Sequence, residues 1–478
     1  MSDAVIVTKP VRVRFAPSPT GFLHVGSIRS GLFNYLWARH TGGQFVLRIE
    51  DTDRARLVDG ALEQINDSLE ALGIKPDEGP RQGGKYGPYI QSERQALYQA
   101  HASDLLQSGA LYRCWCSPER LSGLRADAQK SGEAFKYDRH CLTPANQKSA
   151  SEAHVLRFKI PSTPAVIAWD DAVKGHMEFK ITELDDFVAV KTDGYPTYHF
   201  ANVVDDHLME ISDVLRADEW LPSTPKHLLL FTAFGWQAPT YAHLPPVQGP
   251  GGTKKLSKRD GAQSVGEYIE EGYLPEALMS FLASLGWNDG TTQEVYTPSE
   301  LIEKFTLQRV QKSPAMFDKE RLTWVNGLLI RQMPLNQLLD RCAGFWPLEA
   351  AACEADYKQA VLGLVQERLK FFAELSELTE FFFKDPKLDL TLFADGSADL
   401  IQAASVVLES SDFSQLDLET KLRTLSEELQ IKPGQLFSAL RIAVTGRKAA
   451  PGIFETLHTL GQTVTLNRLV IATKLLNR

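Results

Sequence analysis

The chain has 478 residues, 43% hydrophobic and 23% charged, a balance that argues against disorder and leaves room for about two to four domains. No run approaches the roughly 18 apolar residues of a membrane span, and the first residues hold no apolar stretch behind a basic start, so a cytoplasmic protein without membrane contact is expected. Five cysteines are too few for a disulfide scaffold. A net charge of -9 argues against broad nucleic-acid binding, yet from Lys432 onward seven cations face Glu455 alone, which puts that segment at +6 and the remainder at -15. A local basic face suffices for such a partner, although a solvated helical surface has the same composition.

The β-branched run Val11–Phe15 reads as a buried strand that Pro17, Pro19 and Gly21 must break. Ile28, Leu32, Tyr35 and Leu36 then recur at helical spacing up to Gly42-Gly43, and Gln44 to Glu50 reads as a second strand, completing a βαβ unit. At the helix start Gly26 permits close backbone approach to a phosphate, the helix dipole attracts it, and His24 can donate to the same anion. Glu50-Asp51-Thr52-Asp53 places three carboxylates at the strand end, where an ammonium group or magnesium would meet them. For Asp51 to Asp53 a capping role is favoured, ahead of the stripe Leu62, Ile65, Leu69 and Leu72.

From about Gly83 the chain enters an insertion, with Gly87 to Arg94 leading into a helix through Leu111. Cys114-Trp115-Cys116 and Cys141 supply three thiols able to converge on one ion with one position open; unligated cysteines, packed as small hydrophobes, are the plain alternative. Residues 153 to 190 read as β-structure, ending in the strand Phe187 to Val190. Tyr198 and Asn202 share one face of a helix reaching Met209. Arg216 ends the strand after Ile211 to Leu215, its planar fork suited to a carboxylate. Lys254 to Arg259, bounded by glycines, forms a loop suited to polyphosphate, or simply a solvated basic loop. Val265 to Leu285 reads as one helical stretch, and from about Leu329 helical periodicity dominates.

His24-Val25-Gly26-Ser27 and Lys255-Leu256-Ser257-Lys258-Arg259 resemble the paired motifs of class I aminoacyl-tRNA synthetases. RFAPSPTGFLHVGS, LRIEDTDRAR, PTYHFANVVDDHLM and VLRADEW, in that order, resemble bacterial glutamyl-tRNA synthetases across nearly the whole chain. The resemblance implies an α/β fold: a Rossmann-like parallel-sheet catalytic domain (1–83 and 192–250) interrupted by an α+β insertion for the tRNA acceptor end (84–191). A region with the basic loop and a stem contact (251–328) follows, then an all-helical anticodon-binding end (329–478), where glutaminyl relatives have β-barrels.

The same resemblance implies a monomer that ligates L-glutamate to tRNA(Glu) through a glutamyl-adenylate, using ATP and magnesium. Charging of tRNA(Gln) stays open, and adenylylation of a small molecule is the alternative from another class. Arg14, Ser18, Glu50, Tyr198, Asn202 and Arg216 would form the amino-acid pocket, with Glu50 at the α-amino group and Arg216 at the side-chain carboxylate. His24 and Lys258 would contact the transition state, Lys255 would add phosphate stabilisation, and Gly26, Leu256 and Glu219 would meet the nucleotide. Cys114, Cys116, Tyr137 and Cys141 would hold structural zinc, with His140 as a substitute fourth ligand.

Overall fold

The computed structural model describes residues 10–478 apart from 24, 133, 250, 251, 253–255 and 257–262. They form two units: residues up to Glu267 with Leu278–Asp318, and Tyr268–Ala277 with Lys319–Arg478.

In the first unit, β1 (Arg12–Phe15) and β2 (Gln44–Leu47) pair in parallel, Arg12 opposite Gln44 and Phe15 opposite Leu47. Parallel neighbours need a crossover, here α1 (Val25–His40). Its return is tight, because the Gln44 N–H donates to the Val11 carbonyl at 2.9 Å and a Cβ on Gly43 would lie 2.2 Å from that oxygen. Glycine is required there. Helix α1 is covered on opposite sides: Gly31 packs on the Phe15 ring, and Phe33 meets Phe305 edge-on at 5.2 Å. The expected one-sided stripe is therefore blurred; Tyr35 is only half-buried, while Asn34 is fully buried and donates to the Leu215 carbonyl at 3.1 Å.

The second strand is shorter than the sequence suggests. Beyond Leu47 the backbone alternates between neighbours, Arg48 N–H donating to Phe15, Ile49 to Tyr89 and Glu50 to Pro17, which leaves the Arg48 and Glu50 side chains pointing into one interior. Asp51 to Asp53 do not cap the next long helix, α2 (Ala61–Ala71), whose N-cap is Gly60. A separate 3-10 turn at Arg54–Arg56 intervenes, Asp53 makes no side-chain cap bond there, and Asp51 instead accepts the Ser92 N–H at 2.8 Å.

The insertion starts with α3 (Gln95–Gln107), which ends earlier than expected because Gly109, at φ +76°, turns the chain into β3 (Leu111–Cys114). Next comes α4 (Pro118–Ser131), capped by Ser117 with proline in its first turn. β4 (Val155–Phe158) joins β3 in an antiparallel sheet. β5 (Val166–Asp171) and β6 (Gly175–Lys180) form a hairpin, and β7 (Val188–Val190) completes the sheet in the order β3-β4-β7.

Helix α5 (Tyr198–Leu208) buries Phe200, Ala201, Val203 and Val204 in the core and turns Tyr198, Asn202, Asp205 and Asp206 elsewhere. β8 (Asp213–Ala217) runs beside β1, the Ser212 N–H donating to the Arg12 carbonyl at 2.9 Å. After α6 (Thr224–Phe234), β9 (Thr240–Leu244) pairs in parallel with β8, setting Arg216 opposite His243.

In the second unit, residues 319–478 are helical, from Lys319–Gln332 to Ile453–Leu476, with no strand. Leu408, Leu422, Leu436, Leu440, Leu457 and Leu469 share its core. The stretch expected as one helix from Val265 to Leu285 is two, Val265–Glu270 and Pro275–Ser284. Gly272 breaks it at φ +85°, and a Cβ there would meet Phe372 at 2.5 Å. The basic C-terminal count also overstates a surface: Arg468 is buried, donating to the carbonyls of Phe381 (2.8 Å) and Val444 (2.7 Å) near two helix ends, and Arg447 pairs with Glu380 at 2.7 Å.

Candidate active site

Where β1, the start of α1, α5 and the end of β8 converge, the first unit holds a cavity of about 430 Å³. Arg14 and Ser18 reach it from β1 and the turn beyond, Gly26 from the helix start, and Glu50 from the chain past β2. Tyr198 and Asn202 project from one face of α5, Arg216 and Glu219 from the end of β8 and the turn after it, and Leu256 closes one side. Residues far apart in the chain thus line one cavity. His24, Lys255 and Lys258 lie outside the described residues. Of the described residues beside them, Leu256 lines the cavity, its N–H donating to the Val247 carbonyl at 2.9 Å, and the Val25 N–H donates to the Gln263 carbonyl at 3.4 Å.

Beneath the floor lies a charge network that sequence reading did not find. Arg48, fully buried, donates to Glu50 Oε1 at 3.1 Å and Asp206 Oδ1 at 2.7 Å, with Asp205 at 3.9 Å. Arg14 reaches Asp206 at 3.1 Å, and Arg94 reaches Asp205 at 2.7 Å, where Tyr98 and Gln91 also donate. Three guanidinium groups therefore balance three carboxylates, as burial of charge demands. Burial acts to raise the pKa of Asp206, but Arg14 and Arg48 outweigh it and hold the carboxyl below the ordinary range. For Glu50 burial wins, and its pKa is raised despite Arg48 and Arg14. Its Oε1 accepts from both Arg48 and Asn202; among the described residues no donor reaches Oε2. The available signal was Arg48, two residues before Glu50 on the same strand face, and Asp205-Asp206 following Tyr198 by two helical turns.

Arg216 is different. Nε donates to His243 Nε2 (3.1 Å), Nη1 to Tyr198 Oη (3.2 Å) and His227 Nδ1 (3.3 Å), and Nη2 to the Trp220 carbonyl (3.3 Å) and Thr224 Oγ1 (2.8 Å). All five N–H groups are used, each on a neutral acceptor, and among the described residues no carboxylate lies within ion-pair distance of it. His227 accepts from Arg216 on Nδ1, so its Nε2–H donates to His199 Nδ1 at 3.1 Å. Burial, then the charges of Arg216 and its neighbours, holds His227 far below the usual histidine pKa. A guanidinium whose direct partners are all neutral thus lines the cavity, among the described residues, with no anion in contact.

Arg29 is a second cavity residue missed from sequence. It donates to the carbonyls of Pro245 and Leu285, tying α1 to both ends of the segment that carries the basic loop, and burial lowers its pKa to about 10.

In the insertion, the Sγ atoms of Cys114, Cys116 and Cys141 all lie within 4.8 Å of one another. The Tyr137 Oη stands 3.3 Å from Cys114 Sγ and from Cys116 Sγ. His140 stays apart from the thiols, its Nδ1 3.2 Å from the Asn146 amide. Three sulfurs and one phenol oxygen converging on a point is a donor set that fits tetrahedral zinc.

Residues 10–324 match the family described as tRNA synthetases class I (E and Q), catalytic domain, and residues 336–473 match the anticodon binding domain family. A glutamate–tRNA ligase of Dehalococcoides mccartyi is 46% identical over 480 residues, 98% of each chain. One from Roseiflexus castenholzii is 45% identical, covering 98% of this chain and 97% of the relative. The crystal structure of a glutamate tRNA ligase from Elizabethkingia meningosepticum in complex with its amino acid superposes with a TM-score of 0.91 at 34% identity, covering 98% of this chain and all of that one.

Proposed function

This chain belongs to the class I glutamate–tRNA ligases, and on that premise we propose that its cavity selects L-glutamate by charge, activates it with ATP and delivers it to tRNA(Glu). One observation carries the selection: the floor network is balanced, while Arg216 lines the cavity with every direct partner neutral and, among the described residues, no carboxylate within ion-pair distance. Glutamate sets a carboxylate against that guanidinium; glutamine sets a neutral amide there. Arg216 reads the side-chain carboxylate, which would take over an N–H now given to Tyr198 Oη (3.2 Å) or the Trp220 carbonyl (3.3 Å), and Glu50, whose Oε2 has no donor among the described residues, takes the α-ammonium group. An amide in place of the carboxylate would leave the buried guanidinium without an anion in contact, which is a strong basis for rejection.

In the first step the substrate α-carboxylate attacks the α-phosphorus of ATP and pyrophosphate leaves; in the second a terminal ribose hydroxyl of the tRNA displaces AMP from the glutamyl carbonyl. No side chain acts as nucleophile, so the protein contributes position and charge. Family membership supports His24 and Lys258 as transition-state contacts and Lys255 as a further phosphate cation, Gly26 as the point of close backbone approach, Leu256 as part of the nucleotide wall, and Glu219 at the ribose. Magnesium bound with the nucleotide would neutralise phosphate charge. Cys114, Cys116, Cys141 and Tyr137 would hold zinc, which stiffens the insertion that takes the acceptor end, and His140 is the weaker fourth ligand by position. Helical residues 336–473 would read the anticodon arm.

The test is attachment of glutamate, with ATP and magnesium, to separately purified tRNA(Glu) and tRNA(Gln). Charging of tRNA(Glu) with glutamate and not glutamine is expected. Charging of neither tRNA would overturn the assignment, and charging of both would assign a relaxed enzyme whose second product needs amidation.

A further inference from the structure

Asp171, at the end of β5, is fully enclosed, and its two oxygens have separate duties. Oδ1 accepts the backbone N–H groups of Val173 (3.0 Å), Lys174 (2.9 Å) and His243 (3.1 Å). Oδ2 faces His243 Nδ1 at 2.5 Å. A carboxylate only accepts, so Nδ1 carries the proton and Nε2 is bare. The bare Nε2 accepts from Arg216 Nε at 3.1 Å. It also lies 3.2 Å from Thr224 Oγ1, so the Thr224 hydroxyl donates to it and keeps its oxygen lone pairs for Arg216 Nη2, at 2.8 Å. The tautomer imposed by Asp171 is the one that the contact from the guanidinium Nε requires.

We infer that Asp171 and His243 are positioning residues for amino-acid selection: Asp171, on the inserted hairpin, fixes the His243 tautomer, and His243 fixes the Arg216 guanidinium against the substrate side-chain carboxylate. The inference rests on the assignment of that carboxylate to Arg216. It gives the insertion a part in choosing the amino acid. The hairpin is anchored here twice, since Lys174, in the same turn, pairs through Nζ with Asp218 Oδ2 on the cavity wall at 3.2 Å.

Asp171→Asn separates this role from mere packing. The amide oxygen would keep the three backbone bonds, so its NH2 would face His243 Nδ1, drive the ring proton to Nε2 and aim a donor at the Arg216 Nε–H. The KM for glutamate should rise by about 10- to 100-fold, with the KM for ATP and kcat changed by less than about threefold. His243→Asn should behave similarly, whereas His243→Gln, whose amide oxygen can reach the place of Nε2, should recover much of the glutamate KM. In wild-type protein labelled with 15N at histidine, the His243 shifts should report the Nδ1–H tautomer, and in Asp171→Asn the Nε2–H tautomer. The opposite tautomer in the wild type, or equal loss in His243→Gln and His243→Asn, would overturn the relay itself. Expected NMR shifts combined with an unchanged glutamate KM in Arg216→Gln would overturn it through the carboxylate assignment instead.

Discussion

Asn202 and Glu50, 152 positions apart in the chain, meet at 2.9 Å, the amide Nδ2 donating to carboxylate Oε1. Arg48 donates to the same oxygen at 3.1 Å. Two donors on one oxygen leave the other without a donor among the described residues, and on the proposed reading they hold the carboxylate in place for the substrate ammonium group.

Glu50→Gln keeps the shape and removes the charge. Loss of a charge-assisted bond to the α-ammonium is worth about 1.5–3 kcal/mol, so the KM for glutamate should rise by roughly 10- to 150-fold at an unchanged KM for ATP. Asn202→Ala removes only a neutral donor from Oε1 and should cost about fivefold. Steady-state aminoacylation with each substrate varied in turn measures both; a larger effect for Asn202→Ala than for Glu50→Gln would contradict the ammonium assignment.

Arg216→Gln should reduce kcat/KM for glutamate by on the order of a hundredfold or more, because truncating one partner of a desolvated charge pair costs about 2–5 kcal/mol. Arg216→Lys should recover little: a single ammonium cannot serve the five acceptors that the planar fork now engages. Discrimination against glutamine should fall in both variants, measured as the ratio of kcat/KM for the two amino acids. A ratio that stays at the wild-type value would place the carboxylate elsewhere.

The parts of this site legible from sequence were those with a local signature. A strand broken by Pro17 and Pro19 before a helix start, the spacing of Tyr198 and Asn202, and an arginine near a strand end each announce a position. The Cys-x-Cys pair with Cys141 did the same for the thiol cluster. What was illegible depends on register and tertiary partners. His243 matters because parallel pairing sets it opposite Arg216, and Asp171 because a hairpin turn brings it beneath that histidine; neither has a local mark. Charge composition misled at Arg468, which counts as a cation in the sequence but closes helix carbonyls in the core. Asp51 and Asp53 misled in the opposite way, since good capping residues were followed by a separate short turn rather than the helix itself.

The thiol cluster makes a prediction about the metal. Protein purified without chelator should contain about one zinc per chain, released on thiol modification and quantified with a chromogenic chelator. Cys141→Ser should abolish retention. Tyr137→Phe should weaken it, since the phenol oxygen stands 3.3 Å from both Cys114 and Cys116, and His140→Ala should leave it intact. Zinc lost in His140→Ala and kept in Tyr137→Phe would reverse the choice of fourth ligand.

The histidines behind Arg216 fix the sign of a pH effect. Burial, followed by Lys226 and Arg216, lowers the pKa of His199 to about 3, against about 6.5 in the unfolded chain. Between these values the unfolded state binds a proton that the native state refuses, so stability rises with pH. The contribution is fully present above about pH 6.5 and is lost as pH falls toward 3, with a limiting slope of about 1.4 kcal/mol per pH unit for each such group. His227, depressed in the same direction, adds to it. Urea unfolding followed by tryptophan fluorescence from pH 7 to pH 4 should therefore give a steeper loss for the wild type than for His199→Gln, which removes one of the two groups. Glutamate affinity should hold over the same range, because a His227 kept neutral by burial and by Arg216 goes on accepting the Arg216 N–H at 3.3 Å. Parallel pH profiles for the two proteins would mean that His199 takes up its proton in the native state over the same pH range as in the unfolded chain, and with it the chain of neutral acceptors around Arg216 would be wrong.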